Sequence, residues 1–161
     1  MTTLFSIAVI YITNMCLVFG GLFNAALYKP AILSSNHVLY TADLANDGSN
    51  ETDIFSMHCA HSAEDNPGWW MVDLRGLYKV EQIVLVNRGD DYDGSLRTKN
   101  FQFDVFETDP RLSRDFPMVS GQVCYTRVEP VGQGATLTKN CTAPIVGRFV
   151  RFIRCCYHSE Q

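Results

Sequence analysis

The chain has 161 residues, with 13 Lys and Arg against 17 Asp and Glu, a formal net charge of −4 and a pI near 5.5. No clustered cationic field is available for nucleic acid or an anionic membrane surface, so those partners are excluded and any binding is local. With 47% hydrophobic and 12% aromatic residues the sequence supports a real core, and the length is that of one compact domain.

No charged side chain precedes Lys29, and Leu4 to Phe23 is almost wholly apolar. Such a run is a targeting segment or an anchor, since a spanning helix needs about 20 apolar residues. Its start beside Met1 and the small residues Gly20 and Gly21 favour a cleaved signal peptide over residues 1–20. Residues 21–161 then form a single secreted domain with no membrane insertion of its own. Cleavage removes Cys16 and leaves Cys59, Cys124, Cys141, Cys155 and Cys156 in an oxidising compartment.

Further along, short β-rich runs recur between turn signals, and no segment has a convincing helical period. The chain reads as all-β, an antiparallel sandwich or barrel. The expected strands are 69–74, 80–87, 101–107, 121–128 and 148–154. Phe101, Phe103 and Val105 alternate with Gln102, Asp104 and Phe106, which puts an apolar set on one face. Polar stretches at 46–53, 61–67 and 89–99 separate these runs, and loops of that length in a compact domain usually carry function. Asn50 (in Asn50-Glu51-Thr52) and Asn140 (in Asn140-Cys141-Thr142) are N-glycosylation acceptors.

Cys124 and Cys141 lie 17 positions apart across a Pro- and Gly-containing stretch, the pattern of a hairpin-like excursion closed by a disulfide. Such a bridge is worth about 3 kcal/mol. Cys59 then pairs with the C-terminal end, through Cys155 or Cys156. The odd count leaves a thiol that is unpaired or that joins protomers into a homo-oligomer. His58, Cys59 and His61 also raise a zinc site, with Cys155 and Cys156, but without the CxxC spacing that zinc motifs use.

Two loops hold most of the candidate chemistry. His58-Cys59-Ala60-His61 and Arg88 to Arg97 supply a histidine and two arginines, flanked by Phe55 and Tyr92. No pair of carboxylates is placed for glycoside hydrolysis, and no nucleophile stands with a base. Asp90, Asp91 and Asp93, adjacent in one loop, read as solvated turn residues. Guanidinium forks donating to vicinal hydroxyls, with an apolar surface against a C–H face, are how neutral sugars are held.

At these residues the sequence resembles the F-type lectins, or fucolectins, of the discoidin-like, coagulation-factor C-domain group. The resemblance runs from about Asn24 to Arg154 through Asn24-Ala25-Ala26-Leu27, Ala45-Asn46-Asp47-Gly48, Cys59-Ala60-His61, Trp69-Trp70-Met71-Val72-Asp73-Leu74, Asn87-Arg88-Gly89-Asp90 and Gly147-Arg148-Phe149-Val150-Arg151. The family's sugar motif is a histidine, 26 residues, Arg-x-Asp, four residues and a cation; 26 residues lie between His61 and Arg88, with Asp90 in register. The motif's last cation would fall at Ser95, so Arg97 reads as that cation after a two-residue insertion.

The resemblance implies an all-β discoidin-like sandwich or jelly roll and a non-catalytic lectin for L-fucose or related glycans, acting in recognition or adhesion at microbial or host surfaces. It implies that His61, Arg88 and Arg97 bond the sugar's hydroxyls, that Asp90 orients Arg88, and that Phe55 lies at an aromatic contact. Asp91 and Tyr92 stand where many members carry adjacent cysteines, so Tyr92 takes the place of that platform. A structural calcium is implied at Asp47, with Leu44, Ser49 and His58 as further metal candidates; the family's glutamate after the last cysteine is replaced by Cys156-Tyr157-His158. Gln161 stops the chain before the family's last strand, so an open sheet edge is expected. Fucosylated glycans are the implied partners, and homo-oligomers supply avidity for a weak single site. The alternative is a protein-binding adhesion module that has lost sugar binding, because Arg88-Gly89-Asp90 spells an integrin-type tripeptide.

Overall fold

A computed structural model of the protein describes the backbone of residues 3–5 and 8–13, and residues 22–37, 39–63 and 65–154 in full. Among the described residues nine strands are formed: β1 (Thr3–Phe5), β2 (Ala8–Thr13), β3 (Phe23–Asn24), β4 (Ala31–Leu33), β5 (Ala60–Ser62), β6 (Trp69–Val86), β7 (Phe101–Phe106), β8 (Gln122–Arg127) and β9 (Thr136–Arg154). Between them lie 3-10 turns at Ala42–Ala45, Ile54–Ser56 and Pro110–Leu112 and one helical turn, α1 (Tyr92–Ser95).

All pairings are antiparallel, and the ladder of β6 with β9 is the spine. Its register breaks between Asp73 and Tyr78, which divides both strands into halves. Trp69–Asp73 pairs with Phe149–Ile153 and carries β4 on its other side, while β7 and β8 extend the sheet beyond β9. Tyr78–Val86 pairs with Thr136–Gly147 and carries β2 and β3. Trp70, Val72 and Leu74 of the first half pack in the same core as Val80, Ile83 and Leu85 of the second. The sheet is thus folded over one interior, the antiparallel sandwich that the alternation of apolar residues dictates.

The period of two is exact where it matters. Trp70, Val72, Phe101, Phe103, Val150 and Phe152 face the main core. Their neighbours Trp69, Met71, Phe149 and Ile153 form a second cluster on the outer face with Ile32, Phe106 and Phe116. Arg151 also lies on that face, fully buried, with Nε and Nη2 on Asp104 and further bonds to the carbonyls of Pro117 and Val119. Those carbonyls and the ring of Phe106, 4.9 Å from the guanidinium, satisfy a charge that would otherwise be intolerable there.

Several sequence expectations change. The runs 69–74 and 80–87 are one strand, because the β9 ladder resumes after the bulge. His61 is on strand β5 rather than in a loop, and the 89–99 segment contains a helical turn. Along Lys79–Leu85, β6 is paired by β2, whose residues 8–13 fall within the segment expected to be a signal peptide. Cys124 and Cys141 form the expected disulfide between β8 and β9, with Cα atoms 4.3 Å apart. Cys59 pairs with no cysteine among the described residues, and both partners expected for it, Cys155 and Cys156, lie outside them. It sits at 1% exposure against Ile54 and Tyr40, where burial pushes its thiol up to about 11. Cys155, Cys156 and the cleavage point at Gly20 lie outside the described residues. Among the described residues no helix is long and apolar enough to cross a membrane.

Candidate functional site

Arg88 leaves the end of β6 and turns its guanidinium back on its own loop. Nε donates to Asp90 Oδ1 at 2.8 Å and Nη2 to Asp90 Oδ2, a two-point fork, while Nη1 lies 3.8 Å from Asp91. Burial to 9% exposure makes the pair strong, and each partner holds the other charged: Arg88 is raised and Asp90 lowered from its ordinary pKa, first through this hydrogen bond. Asp90 Oδ1 also accepts from the Ile54 N–H at 3.2 Å, and Gly89 N–H donates to the Thr52 carbonyl. The arginine loop and the loop carrying Phe55 are therefore fastened together.

In the loop where a two-residue insertion is expected, the chain forms α1. Asp91 caps it, accepting from Gly94 N–H at 3.0 Å. Gly94 packs so closely on the arginine that a Cβ there would stand 2.6 Å from Arg88 Nη1 and 2.7 Å from Asp91 Oδ2. Beneath, the buried amide of Asn87 donates to the carbonyls of Ser95, Val131 and Gly132 and accepts from Thr98 Oγ1. Sequence reading quoted Asn87 but gave it no role; its work is to hold the floor of the arginine loop.

His61 comes from β5 and is 4% exposed. Its pKa is pushed down to about 4, first by burial, then by His37, Arg88 and Arg97, so it is neutral at physiological pH and the two arginines lie within its electrostatic reach. The His37 ring meets it edge-on at 4.5 Å, and the Tyr40 ring at 5.8 Å. The His61 and Tyr40 main chains are joined by a hydrogen bond, as are His37 N–H and the His61 carbonyl. Nδ1 of both histidines is buried without a hydrogen-bond partner. The sequence held no signal for His37 and Tyr40, which reach the site only through these nonlocal contacts.

Phe55 and Tyr92 are exposed aromatics, at 77% and 63%, on the turn 54–56 and at the start of α1. The metal candidates form a different patch. Asp47 Oδ2 lies 2.6 Å from His58 Nδ1, and Oδ1 accepts from the Ser49 N–H. Calcium takes an all-oxygen shell; Asp47 fits it, as do main-chain oxygens at Leu44 and Ser49, whereas the His58 imidazole does not. Among the described residues no three His, Cys, Asp or Glu side chains gather to hold a metal, and the zinc grouping of His58, Cys59 and His61 gains no support. Asn50 is exposed, and Asn140 is exposed on β9 with Oδ1 accepting from Gln82.

Chemically, this arrangement offers two guanidiniums, a neutral imidazole and aromatic surface, with Asp90 engaged on Arg88. Comparison with known proteins agrees in fold and family. Residues 44–152 match the model of the F5/F8 type C, NedA-like, galactose-binding domain. The fucolectin of Anguilla anguilla is 26% identical over 68% of this chain and 64% of its own length, so the chain spans less than two thirds of that relative. A fucose binding module of Streptococcus pneumoniae, SpX-3, superposes with a TM-score of 0.63 at 26% identity, covering 82% of this chain and 86% of the module. The f-lectin (fucolectin) from striped bass (Morone saxatilis) serum shares the fold, with a TM-score of 0.70 at 23% identity over 89% of this chain and 43% of its own. With its main core, its β6–β9 spine and this match over most of its length, the chain belongs to the F5/F8 type C, NedA-like galactose-binding domain family, in the discoidin-like group of β-sandwiches.

Proposed function

We propose that this chain is a secreted, non-catalytic lectin domain that takes L-fucose or a related hexose at His61, Arg88 and Arg97. The observation that carries the reading is the convergence of a neutral, buried histidine with two arginines that stand 27 and 36 positions after it in sequence, both close enough to depress its pKa. Neutral His61, whose Nδ1 is buried, leaves Nε2 as the ring nitrogen for a hydroxyl, and the guanidiniums offer forked donors, the complement that vicinal hydroxyls need. Asp90 positions Arg88 and, engaged there, is not disposed as a general acid or base. Phe55 and Tyr92 supply apolar surface at the rim. The printed names of the similar proteins, fucolectins and a fucose binding module, support the same sugar class.

Calcium belongs to the proposal through Asp47 and the main-chain oxygens of Leu44 and Ser49, as a structural ion. Secretion, glycans on Asn50 and Asn140, homo-oligomers and a role in recognition at cell surfaces belong to it as well. The adhesion-module reading loses its main support, because Arg88 and Asp90 of the tripeptide bind each other, with side chains only 11% and 12% exposed. Binding to fucose-agarose and to a glycan array tests the proposal. Arg88→Ala should weaken retention by about 1–3 kcal/mol, the cost of a charge-assisted hydrogen bond. Unchanged retention in Arg88→Ala and Arg97→Ala would overturn it.

A further inference from the structure

On the outer face of the sheet, none of the sugar-site residues contributes to a second cleft of about 180 Å³. Its apolar floor is Ile32, Met71 and Phe149, and its rim is Asp73, Arg75 and Arg111. It opens where the β6 ladder breaks between Asp73 and Tyr78. Bulges of this kind redirect a side chain out of the sheet, and here the redirected residue is Arg75. Its backbone is left-handed, with φ at +66°, and its N–H donates to Asp73 Oδ1 at 2.8 Å. A left-handed arginine is a strained conformer, and such outliers concentrate where a ligand is met.

The charges around the cleft do not cancel. Arg148 makes a two-point fork on Asp73, at 2.7 and 2.8 Å, and Arg111 makes one on Asp109. Arg75 reaches Asp73 only at 3.7 Å. Three guanidiniums thus face two carboxylates, leaving one positive charge in excess on a chain whose net charge is −4. Asp73 remains ionised, held down to about 2 first by its hydrogen bond from Arg148, so the rim carries an acceptor beside its donors. The volume is below the 300 Å³ or so where drug-sized pockets begin, which suits one six-membered ring.

We propose that this cleft is a second ligand site that takes a pyranose bearing a carboxylate or sulfate ester, with its anionic group at Arg75 and Arg111 and its C–H face on Met71 and Phe149. An acidic peptide is the weaker fit. Strand β4 beside the cleft is three residues long and follows Pro30, which has no N–H, so a peptide strand finds little ladder to extend. A bare anion would leave the apolar floor uncovered.

Isothermal titration and ligand-observed NMR on the full chain test this with D-glucuronate and galactose 6-sulfate as probes. D-glucose, inorganic sulfate and an Asp-Glu peptide are the controls, and excess L-fucose is present throughout. The acidic sugars should bind about tenfold more tightly than each control, the ratio expected when charge-assisted bonds and ring contact act together. Preference for glucuronate over the sulfate ester, or the reverse, identifies the anion. Arg75→Gly, which relaxes the left-handed backbone, and Arg111→Gln should each lower that affinity about tenfold while leaving fucose retention unchanged and the melting temperature no lower. No binding of either acidic sugar, equal binding by both variants, or equal affinity for inorganic sulfate or the peptide would overturn the proposal.

Discussion

His61 gives the sharpest quantitative test, because its protonation is opposed from several sides at once. In the unfolded chain its imidazole titrates near its ordinary 6.5, whereas in the folded chain burial, His37, Arg88 and Arg97 bring it to about 4. Between those values the unfolded state holds a proton that the folded state refuses, so stability falls as pH falls. The contribution is complete above pH 6.5 and is gone once pH has dropped through 4. At about 1.4 kcal/mol per decade, the span corresponds to on the order of 3 kcal/mol. The perturbation is His61→Gln, which keeps a polar side chain of similar reach and removes the titration. Urea midpoints for wild type and variant should be measured from pH 7.5 to 4. The wild type should lose stability progressively below pH 6.5, and the variant should follow a shallower line, with the gap between them closing toward pH 4. Asp73 and Asp90, both lowered from 3.8, act at lower pH and leave this window clear. Parallel lines for the two proteins would refute the reasoning and place His61 in contact with solvent.

Gly94→Ala forces its methyl group against Arg88 Nη1, so fucose retention should fall about tenfold with little change in melting temperature; a surface plasmon resonance comparison decides it. Asp90→Ala leaves a largely buried guanidinium unpaired and frees the Ile54 N–H, so both stability and retention should drop, the former by about 3 kcal/mol in urea unfolding. Cys124→Ser/Cys141→Ser opens a loop spanning 17 positions and should cost about 3 kcal/mol, measured in the same way. For the calcium part of the proposal, the melting temperature should rise in millimolar calcium and return on adding EDTA; Asp47→Ala should abolish the response, and a wild type indifferent to both additions removes the ion from the proposal.

How far the sequence reached differs between the fold and the site. The alternation in 101–106 gave the faces of β7 correctly, since inward and outward positions are fixed by the pleat alone. The motif's spacing sets Arg88 two positions from Asp90, where the fork between them forms, and His61 stands in the middle of β5. The expected strand 69–74 stops before Arg75, however, and only pairing with β9 on both sides shows that β6 continues. Asp91 with Gly94 three positions later is a capping pattern legible in principle, yet a single turn is too short to show a helical period. Asn87, His37 and Tyr40 were silent for a different reason. Their partners are carbonyls and rings brought together by tertiary structure, and no local pattern encodes those meetings.

The long ladder between β6 and β9 also governs when this protein can acquire its function. Trp69 pairs with Ile153 and Val86 with Thr136, so the spine consists of contacts between distant parts of the chain. Topologies dominated by such contacts fold slowly, on the order of milliseconds to seconds, because the loop must close before any pairing rewards it. During synthesis His61 and Arg88 emerge well before the strand that β6 needs, and Asn87 waits for Val131 and Gly132 to anchor the arginine loop. A growing chain therefore carries every residue of the proposed sugar site before that site can form, and the arrangement is complete only when nearly the whole domain has been made. Truncation within β9 should abolish ligand binding as completely as removing the arginines themselves.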